Sequence, residues 1–276
     1  GGGGHSARLL ARLGSGGAVY GMDQDPEALA AARGRIGSDP RFHPIQGNFA
    51  YLDTLLPPEH LGRVQGVLFD LGVSTHQIQE PARGFSFQAD DAELDMRMSP
   101  DAPTTAKVVV NETDPDELRR ILWQYGEERH SRTIVRAIVD ARPLRTTGDL
   151  RRTVLQVVKG PMAVKSLARV FQAVRIEVNQ ELESLRSALN GVLRVLAPGG
   201  RLVVLSYHSL EDRIVKNFLK CGNLDGTVDK DFYGHPVCTI LPLTRQLLRP
   251  DEQEILANPA ARSARMRVGV RTTLEV

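Results

Sequence analysis

The sequence predicts an α/β protein in which a parallel sheet is covered by helices on both faces and interrupted by a helical insert. Short apolar runs alternate with amphipathic segments along much of the chain, and this alternation is typical of such sheets. Between residues 103 and 160 the alternation stops and only helical patterns remain. We therefore expect an α/β domain formed by residues 1–102 and 161–276, with an all-helical insert at residues 103–160.

The composition is that of an ordinary globular protein and excludes several functional classes. The chain has 276 residues, of which 41% are hydrophobic and 25% charged, enough for one large domain or one domain with an insert. Its apolar runs are too short to span a bilayer, so we expect a cytoplasmic protein without a membrane partner. Cys221 and Cys238 lie apart without a CxxC pattern, so neither a disulfide framework nor a metal site is expected.

In the N-terminal part, a helix and two strands follow from local patterns. Leucines at helical spacing in residues 6–14 predict a short helix that ends at a glycine. Residues 18–22 predict a buried strand that leads to Asp23, and residues 64–70 predict another strand that ends at Asp70. Two carboxylates are therefore expected at the carboxyl ends of strands.

In the C-terminal part, an amphipathic stretch at residues 168–196 predicts a long helix that stops at the PGG sequence. Residues 201–206 then predict a buried strand. Ser209 and Asp212 have the spacing of a capping box, which predicts the start of another helix. Beyond about Lys220 the pattern is weak, and we expect a loop or a short hairpin.

The N-terminal glycine tract raises the question of a binding loop. In open α/β sheets ligands bind beyond the carboxyl ends of the strands. Gly3 and Asp23 are 20 residues apart, close to the interval of about 20 between a glycine loop and a ribose-binding acid. Because His5 and Ser6 follow the glycines instead of a GxGxxG pattern, S-adenosylmethionine is favoured over a dinucleotide. The alternative is a tag followed by a helix, with Asp23 as a turn residue.

Seven motifs follow one another along nearly the whole chain. They are GGGGHS, FDLGVSTHQIQEPARGFSF, LDMRM, YGEERHSRTIVRAIV, RVFQAVRIEVNQEL, LAPGGRLVVLSYHSLEDRIVKNF and NPAARSARMRV. In this order they resemble the bacterial family of small-subunit ribosomal RNA cytosine N4-methyltransferases. The resemblance implies a Rossmann-like class I methyltransferase fold and S-adenosylmethionine as the cofactor. Since the family's first motif usually begins D-x-T-x-G before these glycines, we expect the chain to be shortened upstream.

The resemblance also implies a set of cofactor-binding residues. For two of its members the residues themselves also allow another interpretation: Phe49 could be an aromatic residue of the core, and Gln77 could be an amide exposed on a loop. The implied set is Gly3, Gly4 and His5 at the methionine end of the cofactor, Asp23 at the ribose, Phe49 near the adenine, and Asp70 and Gln77 completing the pocket.

The chemistry requires an acceptor for the cytosine amine, whose lone pair is delocalised into the ring. Amino-methylating enzymes of other families have a D/N-P-P-Y/F motif where this chain has DLGVS. The accepting group is therefore open between Asp70, Asp95 and a backbone carbonyl, and Asp95 could instead form an ion pair with Arg97 that closes a loop. His208 is expected to bind the base or take up the released proton, with a structural role as the alternative.

RNA contacts are expected from basic segments. Arg262, Arg265 and Arg267 are candidates for phosphate contacts, with a solvated tail as the alternative, and the helical insert is expected to read RNA shape. The resemblance implies a cytidine in the decoding region of a nearly assembled small subunit, and leaves a homodimer open. The main rival is a non-catalytic RNA-binding or assembly protein on the same fold. A nicotinamide-dependent oxidoreductase and a DNA amino-methyltransferase fit the motifs less well.

Overall fold

The computed structural model describes residues 2–228, 230–234, 237–244 and 246–274. The chain forms two compact units, one made of Gly1–Gly72 and Leu182–Val276 and the other of Val73–Glu181. The first unit is an α/β unit and the second is helical. The helical unit therefore extends beyond both ends of the insert expected at residues 103–160.

The α/β unit alternates strands with helices, which confirms the predicted class. Its strands are β1 (Val19–Asp23), β2 (Phe42–Gln46), β3 (Val64–Asp70), β4 (Leu196–Ser206), β5 (Ile240–Pro242) and β6 (Arg265–Arg271). Its helices, numbered along the whole chain, are α1 (Gly4–Leu10), α2 (Pro26–Ile36), α3 (Leu52–Leu55), α10 (Glu181–Val195, of which Glu181 belongs to the helical unit), α11 (Ser209–Cys221) and α12 (Glu252–Ala257).

The described strands form two sheets rather than one. β1 and β2 pair in parallel, from Val19 opposite Phe42 to Asp23 opposite Gln46. The other sheet has the order β3-β4-β6-β5, with β3 and β4 parallel and the remaining pairs antiparallel. The antiparallel edge comes from the C-terminal region, where the sequence pattern is weak.

The core of the α/β unit lies between the larger sheet and its helices. In β4 the residues at even positions from 200 to 206 are buried, because alternate side chains of a strand point to opposite faces. Leu202 and Val204 on this face pack in one cluster with Leu189 of α10 and Phe218 of α11. This packing fixes β4 and the loop that follows it.

The helical unit has its own core. Its helices are α4 (Thr75–Gln79), α5 (Ala106–Glu112), α6 (Pro115–Gln124), α7 (Ser131–Asp140), α8 (Thr147–Val157) and α9 (Ala163–Asn179). Leu94 and Met96, which precede α5, are almost fully buried in this core. The backbone of Leu94 also pairs with Arg145 and Lys107. These contacts explain why residues before 103 belong to the helical unit.

The prediction of one long helix at residues 168–196 is wrong, because this stretch is divided between two helices. α9 ends at Asn179 and α10 begins at Glu181. Gln180 between them has φ +48°, in the left-handed region, which interrupts the helical path. Nothing in the amphipathic pattern indicates this break, because a single residue changes conformation while the apolar periodicity continues.

In the described part of the chain, every helix is too short or too polar to cross a bilayer.

Candidate active site

The glycine tract is part of the folded α/β unit. Gly3 is buried and has φ +76°, and its carbonyl accepts a hydrogen bond from the Ala7 N–H at 2.9 Å. A Cβ at Gly3 would lie 2.8 Å from Cα of Ala32 in α2. The turn therefore requires a residue without a side chain. Gly4 is the first residue of α1 and is exposed.

Asp23 lies at the end of β1, as predicted. Its Oδ1 accepts a hydrogen bond from the Asp25 N–H at 2.9 Å. Its carbonyl accepts one from the Gly47 N–H at 2.9 Å, which connects the end of β1 to the segment after β2. The carboxylate is therefore positioned at the carboxyl end of the two-stranded sheet.

Phe49 follows the same segment and begins a short 3-10 helix. Its ring is half-buried, and its centroid lies 5.3 Å from that of Phe69 in β3. This ring contact is the one expected if Phe49 is an aromatic residue of the core. Stacking of Phe49 near an adenine stays a prediction.

Asp70, at the end of β3, is bonded on both carboxylate oxygens. Its Oδ2 is 3.3 Å from Nδ1 of His5, and its Oδ1 accepts a hydrogen bond from the Tyr207 hydroxyl at 2.8 Å. Burial alone raises the pKa of the Asp70 carboxyl, but the hydrogen bonds from His5 and Tyr207 outweigh it, so the pKa is lowered. The hydrogen bond to Asp70 also raises the pKa of His5. The arrangement favours a carboxylate beside an imidazolium.

Tyr207 is a residue of this site to which sequence reasoning assigned no role, although its position after a predicted strand made it a candidate. It directly follows β4, which pairs in parallel with β3. The available signal was its position, because the carboxyl ends of neighbouring parallel strands meet at one edge of a sheet. An aromatic hydroxyl just after one strand is a natural partner for a carboxylate at the end of the next.

His208 is buried at the start of α11. Its Nε2 lies 3.3 Å from Oε1 of Glu211, but neither ring nitrogen has a hydrogen bond of acceptable geometry to any described residue. The Glu211 carboxylate accepts the backbone N–H groups of Tyr207 and His208. The predicted capping box of Ser209 and Asp212 is therefore wrong. The residue that caps the helix is His208, one position before Ser209, and Glu211 occupies the third helical position that was expected for Asp212.

Two of the predicted site residues lie in the helical unit. Gln77 is buried, and its Oε1 accepts the Ser74 N–H while its own N–H donates to the Ser74 hydroxyl. Its observed contacts are those of a helix cap. A role in completing the cofactor pocket stays a prediction.

Asp95 forms the ion pair that was the alternative to a catalytic role. Arg97 donates to both of its oxygens, at 2.9 and 2.8 Å, and also to the carbonyls of Pro100 and Ala102. Burial raises the pKa of the Asp95 carboxyl, but the bonds from Arg97 outweigh it and the pKa is lowered. The pair closes the loop that follows it, and the catalytic role stays a prediction.

The three arginines predicted to contact phosphates differ in their surroundings. Arg267 donates to both oxygens of Asp212, at 2.6 and 3.2 Å. Arg265 lies 3.9 Å from the same carboxylate, so Asp212 partly neutralises both. Arg262 is exposed to solvent, and it has the environment best suited to an external phosphate.

The chain is similar to proteins of one family over nearly its whole length. Residues 1–272 match the model of the MraW methylase family. Ribosomal RNA small subunit methyltransferase H of Bacteroides fragilis (strain YCH46) is 44% identical over 271 residues, which cover 97% of this chain and 88% of that protein. The protein of the same name from Flavobacterium johnsoniae is 44% identical over 274 residues, with 97% and 88% covered. That of Amoebophilus asiaticus is 41% identical over 277 residues, with 99% and 88% covered.

Proposed function

The chain belongs to the MraW methylase family, and on this basis we propose that it methylates N4 of a cytidine in the decoding region of small-subunit ribosomal RNA. The family match over residues 1–272 is the observation that carries the proposal. The names of the relatives specify small-subunit ribosomal RNA, and the motif resemblance narrows the target to cytosine N4. The cofactor of this family is S-adenosylmethionine.

The α/β unit has the groups that this cofactor requires. Asp23 provides a carboxylate at the end of β1 for the ribose hydroxyls. The absence of a side chain at Gly3, where a Cβ would collide with Ala32, lets the turn before α1 pack directly on α2. Phe49 presents a half-buried ring after β2. Because these groups lie at the carboxyl ends of strands or at the start of α1, the donor set fits an adenosine-bearing ligand.

The protein must activate a weak amine nucleophile. S-adenosylmethionine supplies a methyl group that is already activated by its sulfonium. Asp70 is favoured as the acceptor for the amine N–H, because 40% of its side chain is exposed. Each Asp70 oxygen has a single partner and keeps a lone pair, whereas the Asp95 carboxylate is bound by both arms of Arg97 and is only 26% exposed. A hydrogen bond from the amine N–H to a fixed carboxylate would direct the nitrogen lone pair at the methyl group, and alignment of this kind supplies much of the acceleration.

His208 is the candidate for the released proton. Its ring nitrogens have no hydrogen bond of acceptable geometry to the described residues, and a ring nitrogen that carries no proton can accept one. The target base would have to leave its stack to reach such a site. His208 would then transfer the proton to solvent after the base is released.

The central experiment measures transfer of labelled methyl groups to small subunits that lack the modification, followed by mapping of the modified base. Asp23→Asn should raise the KM for S-adenosylmethionine roughly tenfold or more, since a charged acceptor for the ribose is lost. Asp225→Asn, an exposed carboxylate in the same unit, is the matched control. Methyl groups found on any atom other than cytosine N4 would contradict the substrate assignment.

The same assay addresses the finer parts of the proposal. We expect the protein to act in the cytoplasm on nearly assembled subunits. In parallel assays these subunits should therefore be better substrates than naked ribosomal RNA. A non-catalytic assembly protein would bind subunits without any transfer in a single turnover. Light scattering of the purified chain measures whether a homodimer forms.

A further inference from the structure

The register of the larger sheet places Tyr207 beside the end of β3. Asp70 pairs with Leu205 across the parallel strands, and the Leu71 N–H donates to the Leu205 carbonyl at 3.0 Å. Tyr207 lies two residues beyond Leu205, so its side chain can reach the turn after β3. A Cβ at Gly72 would lie 3.6 Å from Cδ2 of Tyr207. The ring therefore lies against this turn.

The Tyr207 hydroxyl and His5 bond to different oxygens of one carboxylate. Tyr207 donates to Oδ1 at 2.8 Å, and Nδ1 of His5 lies 3.3 Å from Oδ2. Rotation of the Asp70 carboxylate about its last torsion would break at least one of these contacts. Burial, together with the charge of Asp70, raises the pKa of the Tyr207 phenol. The phenol thus stays protonated and remains a donor at neutral pH.

The backbone of Tyr207 is fixed by a buried acid. The Glu211 carboxylate accepts the Tyr207 N–H at 2.8 Å and the His208 N–H at 3.3 Å. Glu211 is 2% exposed and lies in α11, whose residue Phe218 is fully buried in the core. The position of the phenol is therefore determined by the packed helix and not by a mobile loop.

We propose that Tyr207 is a positioning residue for methyl transfer: its phenol holds the Asp70 carboxylate in the orientation that accepts the target amine. This inference rests on the proposed function of Asp70. The phenol acts through the carboxylate and touches neither reactant. Its loss should therefore slow the transfer step without weakening cofactor binding to a similar extent.

The test compares Tyr207→Phe with wild type in the subunit methylation assay. Removal of the hydroxyl should lower kcat about five- to twentyfold, the size expected for a hydrogen bond to a charged group. The KM for S-adenosylmethionine should change by less than about twofold on the same reasoning. Tyr233→Phe is the matched control, because Tyr233 is an exposed tyrosine of the same unit and the variant loses the same atom.

Asp70→Asn and the double variant separate the two claims. Asp70→Asn should lower kcat more than Tyr207→Phe, and the double variant should be no slower than Asp70→Asn, because the phenol acts only through the carboxylate. Full activity of Asp70→Asn would refute the proposed function of Asp70. A slow Asp70→Asn with a Tyr207→Phe equal to the Tyr233→Phe control would refute this inference alone, as would multiplicative losses in the double variant.

Folding does not confound the comparison. The phenyl ring that lies against Gly72 is retained in Tyr207→Phe, and only a solvent-accessible hydrogen bond is removed. We expect its midpoint of thermal unfolding to stay within about 4 °C of the wild-type value. The kcat comparison then reports on the site.

Discussion

Replacement of Gly3 by alanine tests whether the glycine tract is a structural part of the site. Gly3 has φ +76°, and a Cβ there would lie 2.8 Å from Cα and 2.9 Å from Cβ of Ala32. Real Cβ atoms do not approach other carbons so closely. Either α1 or α2 must move to accommodate the methyl group, and the turn would move with it.

The expected loss of stability has two parts. A residue with a Cβ in the left-handed region costs about 1–2 kcal/mol relative to glycine. Overpacking against the backbone of α2 adds about 1–3 kcal/mol. The free energy of unfolding should therefore fall by about 2–5 kcal/mol in Gly3→Ala.

Gly62→Ala separates the two parts. Gly62 lies in the same unit with φ +68°, and no atom lies within 4 Å of its would-be Cβ. It should lose only the conformational part, about 1–2 kcal/mol. Urea denaturation followed by far-UV circular dichroism gives both values. Equal losses in the two variants would refute the packing argument, and a Gly3→Ala variant as stable as wild type would show that the tract is not packed on α2.

Three further predictions concern charged side chains. His5→Ala should destabilise the protein most between about pH 3.8 and 6.5, the ordinary pKa values of the two groups. The stabilisation is lost as pH rises through the raised pKa of His5 or falls through the lowered pKa of Asp70, so the denaturation midpoints of variant and wild type should approach each other on both sides of this range. Asp95→Ala should cost about 1–3 kcal/mol of stability by opening its loop, with kcat changed less than about threefold; a folded variant with kcat reduced a hundredfold would contradict the loop role. Arg262→Ala should reduce the salt dependence of RNA binding by about one unit of slope, whereas Arg267→Ala should change it little; equal slopes for the two variants would contradict the assignment.

The parts of the fold that could be predicted depend on local signals. The strand at residues 64–70 was predicted with the bounds that the structure has, because the apolar run at residues 67–69 ends sharply at Asp70. The strand at 18–22 was found one residue later, at Val19–Asp23. The strand at Val19–Asp23 is half-buried throughout, not buried as expected, and the strand at residues 64–70 has Phe69 as its one buried residue. In both cases a short apolar segment before a carboxylate marks the element, and neighbours in sequence carry enough information.

The parts that were missed depend on partners distant in sequence. Asp212 has the right spacing for a helix cap, but Arg267 binds its carboxylate from a strand 55 residues further on. Glu211 takes the capping position instead. The boundary of the helical unit likewise depends on contacts of Leu94 with Arg145 and Lys107, which no local pattern indicates.

The interaction of Asp70 with Tyr207 depends on both kinds of information. Local patterns indicate the position of each residue, and the strand register brings the two residues together. Each residue stands at the end of an apolar run, so each position could be read from the sequence. Their contact, however, requires that β3 and β4 be parallel neighbours with Asp70 opposite Leu205. A shift of the register by one residue would reverse the faces of every side chain in β3 and bury Asp70 in the core. Because burial of an unpaired carboxylate is costly, the hydrophobic pattern that places Phe69 in the core also selects the register that brings Asp70 within reach of the phenol.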